Sequence, residues 1–274
     1  MPDAEDNPSA ANLLIEDREG VRLLTLNRPE ALNAFDTPLY DACAAAFHEA
    51  TARDDIACVV LTGVGRAFSA GQDLGEMSRI DPTAGGSNGD DPGPGFPRFI
   101  DTVAAFEKPL IAAVNGLGVG IGLTVLLHCD LVLIARGARL RAPFVPLGVV
   151  PEAAGSLLMP LVMGGQRAAL ALYTGEWITA EDAVACGLAL QLTEPETLVP
   201  EAMEIAGRIA RMPVSSLVES KRLVLAGRID AIRIARARED AVFARMVGAP
   251  ANLEALTAFL EKREPDFRNL PTGP

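Results

Sequence analysis

Two spacings of apolar residues alternate along the chain and predict a mixed α/β fold. Residues 21–27 and 57–62 are short apolar runs of the kind that forms strands. Between them, apolar residues recur at helical spacing, namely Leu39, Cys43, Ala46, Phe47 and Ala50. A strand, a helix and a second strand in succession favour parallel pairing through a right-handed crossover. The runs 109–114 and 130–135 show no polar alternation, which predicts strands that are buried on both faces.

The later part of the chain follows a helical pattern, and this change suggests how the chain is divided. From about residue 154 onward, amphipathic segments lie near 197–211, 229–247 and 252–262. Residues 81–97 are rich in glycine, proline and aspartate, which predicts a surface loop. We therefore predict a disordered N-terminus over 1–12, a core domain over 13–200 and a C-terminal helical region over 201–274.

Charge and cysteine content narrow the classes of partner. The chain carries 36 acidic and 24 basic residues, for a net charge of -12. Such a surface repels phosphate backbones, so we expect no nucleic-acid partner. None of the four cysteines has the spacing of a metal or redox motif, and the N-terminus lacks an apolar signal core. These features predict a cytoplasmic protein with reduced thiols and no metal site.

One uncharged segment, residues 109–129, is long enough to cross a bilayer. It contains Pro109, Asn115 and glycines at every second position from Gly116 to Gly122, and a second strand-like run follows it. We therefore predict a buried strand, turn and helix here, and no association with a membrane.

Glycine-containing turns stand directly between an apolar strand and a helix in two stretches, 59–77 and 113–127. The first backbone N–H groups of a helix have no partner within the helix and carry the positive end of its dipole. Two such ends converging on one point would bind a developing oxyanion. Each stretch by itself is also compatible with an ordinary tight connection.

The motifs of this chain resemble those of the crotonase superfamily, the enoyl-CoA hydratases and isomerases. The matching segments run in family order: LNRPEALNAF (26–35), GRAFSAGQDL (65–74), AAVNGLGVGIG (112–122), CDLVLIA (129–135), TGEWITAEDAVACGL (174–188) and FLEKREPDF (259–267). The resemblance implies an α/β fold with a β-β-α spiral core and a C-terminal helical trimerisation region. It also implies acyl-CoA thioester substrates, no cofactor beyond the CoA of the substrate, and a homotrimer or a hexamer built as a dimer of trimers.

The family's oxyanion hole consists of two backbone N–H groups. The resemblance places one at Gln72 and the other at Ile121, or at Gly120 if the alignment shifts by one residue. Because a backbone group acts here, the isoleucine side chain does not exclude the role.

The resemblance further implies a set of residues that line the substrate site: Arg28, Arg66, Ser69, Ala70, Gly71, Asp73, Leu74, Gly120, Phe144 and Arg268. Arg28 and Arg66 match positions that often carry a basic residue, while Lys262 and Arg268 are candidates for the nucleotide end of CoA. A solvated surface charge is the alternative for each of these four cations, and contact with the ligand is favoured for Arg28 alone. For Asp73, support of the turn is the favoured role.

Glu152 is the only charged residue between 144 and 165, and it decides the predicted reaction. Family hydratases use two glutamates, and the matching positions here are Thr124 and Phe144, which neither take up nor release a proton at neutral pH. Glu152 instead matches the single glutamate of Δ3-Δ2-enoyl-CoA isomerases. An acid at the start of a helix is the structural alternative for Glu152.

Other functions stay open at this point. An enoyl-CoA hydratase and a non-catalytic acyl-CoA binder are the two alternatives to the isomerase. The G-x-S-x-G pattern at 85–89 lies in a low-complexity loop and not on a strand-to-helix elbow, which argues against a hydrolase.

Overall fold

Two sheets organise the computed structural model, which describes residues 11–77 and 95–271. The strands of these residues are β1 Leu13–Arg18, β2 Val21–Leu26, β3 Cys58–Gly63, β4 Ala67–Ser69, β5 Leu110–Val114, β6 Leu117–Val119, β7 Leu131–Ala135, β8 Arg139–Arg141, β9 Ile178–Thr179 and β10 Gln191–Thr193. The larger sheet has the order β1-β2-β3-β5-β7-β10, and the smaller has the order β4-β6-β8-β9.

The larger sheet is parallel from β2 to β10, and β1 joins its edge as an antiparallel strand. The predicted strands at 21–27 and 57–62 pair in parallel, as the intervening helix required. All five residues of β5 are buried, in agreement with a strand covered on both faces. The smaller sheet was not predicted.

Helices cover both faces of this framework. Their bounds are α1 Thr37–Ala52, α2 Leu74–Met77, α3 Phe96–Ala104, α4 Ile121–Thr124, α5 Gly155–Met163, α6 Gly165–Thr174, α7 Ala180–Ala185, α8 Leu198–Ala210, α9 Val214–Ala226, α10 Ile229–Met246 and α11 Pro250–Glu261. Short 3-10 helices lie at Pro29–Ala31 and Val125–His128. Helix α1 begins where the Asp36 carboxylate accepts a hydrogen bond from Leu39 N–H at 2.9 Å.

The three predicted C-terminal helices are present as α8, α10 and α11. Helix α8 covers one face of the larger sheet, where Leu198, Ala202 and Ala206 are buried against strand residues. The boundary predicted at 200/201 falls within α8 and stays a prediction. The predicted N-terminal segment 1–12 and the loop 81–97 lie mostly outside the described residues, and α3 begins at Phe96.

The segment 109–129 folds as β5, β6, α4 and a 3-10 turn, which confirms the prediction of strand, turn and helix. Within the described parts of the chain, every helix is too short or too polar to cross a membrane.

Candidate active site

The two glycine turns lie in contact, because the short strands that lead into them, β4 and β6, are parallel neighbours. Gly71 has φ +97° and Gly120 has φ +55°, values in the left-handed region that side chains disfavour. A Cβ atom on Gly71 would lie 2.8 Å from the Val119 carbonyl oxygen and 3.9 Å from Gly120 Cα. Glycine therefore allows the two turns to meet backbone to backbone.

In the first turn, the N–H groups on either side of Gln72 are engaged. Gly71 N–H donates to Ser69 Oγ at 3.1 Å, and Asp73 N–H donates to the Phe35 carbonyl at 2.8 Å. The Gln72 N–H has no acceptor among the residues that the structure describes. This N–H is thus available to a ligand.

In the second turn, Gly120 N–H donates to the Arg141 carbonyl at 3.0 Å, which removes it from consideration as a free donor. Ile121, the first residue of α4, has an N–H without an acceptor in the described residues. The geometry therefore favours Ile121 over Gly120. Its buried side chain points away from solvent.

Two polar side chains hold the terminal amide of Gln72. The buried Tyr40 hydroxyl donates to Gln72 Oε1 at 2.9 Å, and Gln72 Nε2 donates to the Glu76 carboxylate at 3.3 Å. Glu76 in turn accepts from Thr37 N–H at the start of α1. Sequence reasoning missed Tyr40 because it lies among the apolar residues of α1 and its spacing is that of a core residue.

Glu152 lies on a turn just before α5, and its side chain is partly exposed. Burial, followed by the negative charges of Glu239 and Asp240, raises the pKa of Glu152 to about 8. Within the described residues its carboxylate accepts no hydrogen bond. The charge of Glu152 also helps to raise the pKa of Tyr40, for which burial is the larger cause.

The turn that carries Glu152 packs on the second glycine turn. A Cβ atom on Gly155 would lie 3.5 Å from Thr124 Cγ2, at the end of α4. Glu152 lies near enough to Tyr40 for its charge to act on that hydroxyl, and Tyr40 donates to Gln72, so the Glu152 turn lies close to both glycine turns.

The N-terminus of α5 is occupied by Glu239 and not by Glu152. The Glu239 carboxylate, from α10, accepts hydrogen bonds from Ala154 N–H at 2.7 Å and from Ser156 N–H at 2.8 Å. The capping alternative considered for Glu152 is therefore performed by another acid. Sequence reasoning missed Glu239, although it lies seven residues after the buried Ile232 and shares its helix face.

Comparison with known proteins agrees with this geometry. The sequence model described as enoyl-CoA hydratase/isomerase matches residues 16–270. The chain belongs to the enoyl-CoA hydratase/isomerase family. Its fold is accordingly the crotonase fold, with helices following the core.

Named relatives of this family member differ in their reactions. The chain is 35% identical to the 1,2-epoxyphenylacetyl-CoA isomerase of Escherichia coli K12, over 91% of this chain and 95% of that protein. It is 32% identical to the 2,3-dehydroadipyl-CoA hydratase of the same organism, over 94% and 99%. An enoyl-CoA hydratase/isomerase from Pseudoalteromonas atlantica T6c superposes with a TM-score of 0.87 at 36% identity, covering 94% of this chain and 100% of that one.

The two positions that match the hydratase glutamates are buried, and neither carries an acidic residue. Thr124 is fully buried and donates through Oγ1 to the Gly120 carbonyl at 3.3 Å. Phe144 is 5% exposed and belongs to the apolar core. Neither side chain can act as an acid or a base at neutral pH.

The basic residues predicted to contact CoA differ in how many of their hydrogen bonds and ion pairs are made within the protein. The Arg28 guanidinium lies 3.1 Å from the Asp73 carboxylate and 3.2 Å from that of Asp36, and donates to the Ala34 carbonyl at 2.6 Å. Arg28 therefore braces the first glycine turn. Arg66 is exposed, with no ion pair in the described parts of the chain.

The remaining predicted site residues fall into two groups. Arg268 is exposed and pairs with Asp266 at 2.7 Å, and Lys262 ends α11 in a left-handed conformation, both remote in sequence from the turns. Ala70 N–H donates to the Leu32 carbonyl at 2.9 Å within the first turn. Leu74 starts α2, and its side chain lies outside the described set.

Asp73 supports the start of α2, in line with its expected role. Its carboxylate accepts from Gly75 N–H at 3.0 Å and from Glu76 N–H. Burial opposes ionisation of Asp73, but hydrogen bonds from Arg28 and from these two N–H groups outweigh it and hold the pKa of Asp73 below its ordinary value.

Proposed function

We propose that this chain is an enoyl-CoA isomerase that moves the C3–C4 double bond of a 3-enoyl-CoA to C2–C3. The observation that carries the proposal is the position of Glu152. Its carboxyl, with a pKa near 8, lies close to the two glycine turns, whose Gln72 and Ile121 N–H groups have no acceptor in the described residues.

The reaction requires one proton carrier and one site for negative charge. Glu152 removes a proton from C2, and the electrons shift so that negative charge develops on the thioester oxygen. The N–H groups of Gln72 and Ile121 donate to that oxygen. Glu152 then returns the proton to C4, which leaves the double bond between C2 and C3. No electron acceptor takes part, so we propose that no cofactor is needed.

The magnitudes of these two contributions are comparable. General base catalysis by a placed carboxylate is worth about 10²–10⁴-fold in rate. Loss of one oxyanion donor costs about 10²–10³-fold. A raised pKa improves the base, because a carboxylate whose proton affinity is closer to that of the substrate carbon transfers protons more readily.

Addition of water is the second candidate function, because several relatives of similar identity are named hydratases. Hydration needs a group that activates water and a group that protonates carbon. Thr124 and Phe144 supply neither, which favours the isomerase. A non-catalytic acyl-CoA binder would not need Glu152 at all.

A product panel separates these candidates. Purified protein is incubated with a 3-enoyl-CoA and, separately, with a 2-enoyl-CoA, and the products are identified by mass spectrometry and chromatography. We expect conversion of 3-enoyl to 2-enoyl that is lost in Glu152→Gln and kept in Glu196→Gln, a matched change at an exposed glutamate. Full activity in Glu152→Gln, or efficient hydration of the 2-enoyl-CoA, would overturn the proposal.

We further propose a cytoplasmic homotrimer or hexamer. Large apolar side chains on α5 and α6 are exposed in the single chain, with Leu161 at 68% and Tyr173 at 71%. Such exposed surface favours assembly. Light scattering is expected to give a particle several times the 28.8 kDa monomer, and a monomer in solution would contradict this part of the proposal.

A further inference from the structure

A buried carboxylate from the C-terminal helices lies against the turn that carries Glu152. Glu239 is 5% exposed and accepts hydrogen bonds from Ala154 N–H, Ser156 N–H and the Ser156 hydroxyl. A buried carboxylate is costly unless donors compensate for its lost hydration. Here three donors from a single turn offset part of that cost, although burial still raises the pKa of Glu239, so Glu239 and the turn fix each other.

The turn itself has an unfavourable backbone. Ala153 and Ala154 have φ +58° and φ +60°, a left-handed pair without glycine. A second buried side chain holds the turn from the other side, since His128 Nε2 lies 2.8 Å from the Ala153 carbonyl oxygen. Burial lowers the pKa of His128 to about 4, so the ring is neutral and its Nε2–H donates to that carbonyl.

We propose that Glu239 is a positioning residue for Glu152, holding the strained turn so that the Glu152 carboxyl stays directed at the two glycine turns. The inference rests on the proposed isomerase function of Glu152. Glu239 does not touch the reacting atoms. It links helix α10 to the site across more than eighty residues of sequence.

Glu239 also acts on Glu152 through charge. The negative charges of Glu239 and Asp240, both on α10, add to burial in raising the pKa of Glu152. The charge of Glu152 also acts on Tyr40, on α1. Arg236 is the cation on α10 that lies near these two acids, with a guanidinium nitrogen 4.0 Å from Asp240.

Substitutions at two adjacent residues, Glu239 and Asp240, separate the effect of Glu239 on the placement of Glu152 from its effect through charge. In Glu239→Gln the amide oxygen can accept from one N–H, but its NH2 group opposes the other, so the turn loosens and a charge is lost. Asp240→Asn removes a neighbouring charge and leaves the contacts with Ala154 and Ser156 intact. Both changes are expected to lower the apparent pKa in the pH profile of kcat/KM.

Only Glu239→Gln is expected to lower the pH-independent kcat, by about 10–100-fold with KM little changed, because small displacements of a catalytic group carry such costs. A plateau kcat equal to that of Asp240→Asn would overturn the positioning role. If Glu239→Gln does not fold, Ser156→Ala, which removes one of the three bonds, takes its place. The same loss of plateau kcat is then expected in Ser156→Ala, and its absence there would overturn the positioning role equally.

A second readout needs no turnover. The Glu152 carboxyl is titrated by carbon-13 NMR in both variants and in the unaltered protein, with Glu152→Gln for assignment. A change in the carbon-13 shift of the protonated Glu152 carboxyl in Glu239→Gln, without such a change in Asp240→Asn, supports the positioning role even if the unaltered protein isomerises nothing, which would defeat the proposed function alone. An unchanged carbon-13 shift of protonated Glu152 in Glu239→Gln defeats the inference.

Discussion

Replacing Glu152 by glutamine is expected to stabilise the fold at alkaline pH, although it removes the proposed catalytic group. Burial, with the charges of Glu239 and Asp240, raises the pKa of Glu152 from 4.5 to about 8. The folded chain therefore holds this proton more tightly than the unfolded chain does. Stability from this group is complete below pH 4.5 and is lost as pH rises toward 8, because only the unfolded chain ionises freely.

The size of this effect follows from the interval between the two pKa values. At about 1.4 kcal/mol for each pH unit, the interval sets an upper limit of about 5 kcal/mol on the loss in free energy of unfolding. Glu152 is partly exposed, so solvent relieves some of the cost of its charge. We expect Glu152→Gln to gain about 1–3 kcal/mol over the unaltered protein at about pH 9, and close to nothing near pH 5.

Chemical denaturation at the two pH values measures this difference. The quantity compared is the free energy of unfolding of Glu152→Gln minus that of the unaltered protein. Glu196→Gln, at an exposed position, is expected to give the same difference at both pH values. A Glu152→Gln advantage that does not grow between pH 5 and pH 9 would refute the argument that the site holds Glu152 against ionisation.

Three further predictions concern activity. The kcat/KM for isomerisation is expected to rise with pH and level off above about 8, since the base must be ionised, and a flat profile between pH 6 and 9 would contradict this. Gly71→Ala is expected to lower kcat/KM about 100-fold, because its Cβ would lie 2.8 Å from the Val119 carbonyl oxygen. The control Gly207→Ala places its Cβ in open space on α8 and is expected to keep full activity in the same assay. Tyr40→Phe loses the hydrogen bond to Gln72 and is expected to lower kcat about 2–10-fold with KM little changed. Steady-state kinetics that show a change in KM alone would contradict a role of Tyr40 in holding the oxyanion donor.

Periodicity was sufficient for the long elements because their packing repeats over many residues. The parallel pair β2 and β3 and the C-terminal helices α8, α10 and α11 were all predictable in this way. The smaller sheet was not, since β4, β6 and β8 have three residues each and β9 has two. Strands that short carry too few positions to show an alternation.

The candidate site, too, was predictable from the sequence only in part. Gly71 and Gly120 indicate their turns because glycine is the residue expected at positive φ. Ala153 and Ala154 also have positive φ, without any sign in the sequence, because their conformation is imposed by Glu239 and His128 from distant elements. Contacts of that kind depend on tertiary packing, which one sequence does not reveal.

Glu152 and the two free backbone N–H groups affect the same proton transfer. When Glu152 takes a proton from C2, one negative charge leaves a carboxylate and appears on the thioester oxygen. Burial and the neighbouring acids make the carboxylate anion less stable, which raises its proton affinity. The free N–H groups of Gln72 and Ile121 make the oxyanion more stable. Both effects lower the free energy of the charge-shifted state relative to the starting state, so the partly buried carboxylate and the unpaired backbone donors contribute to one barrier.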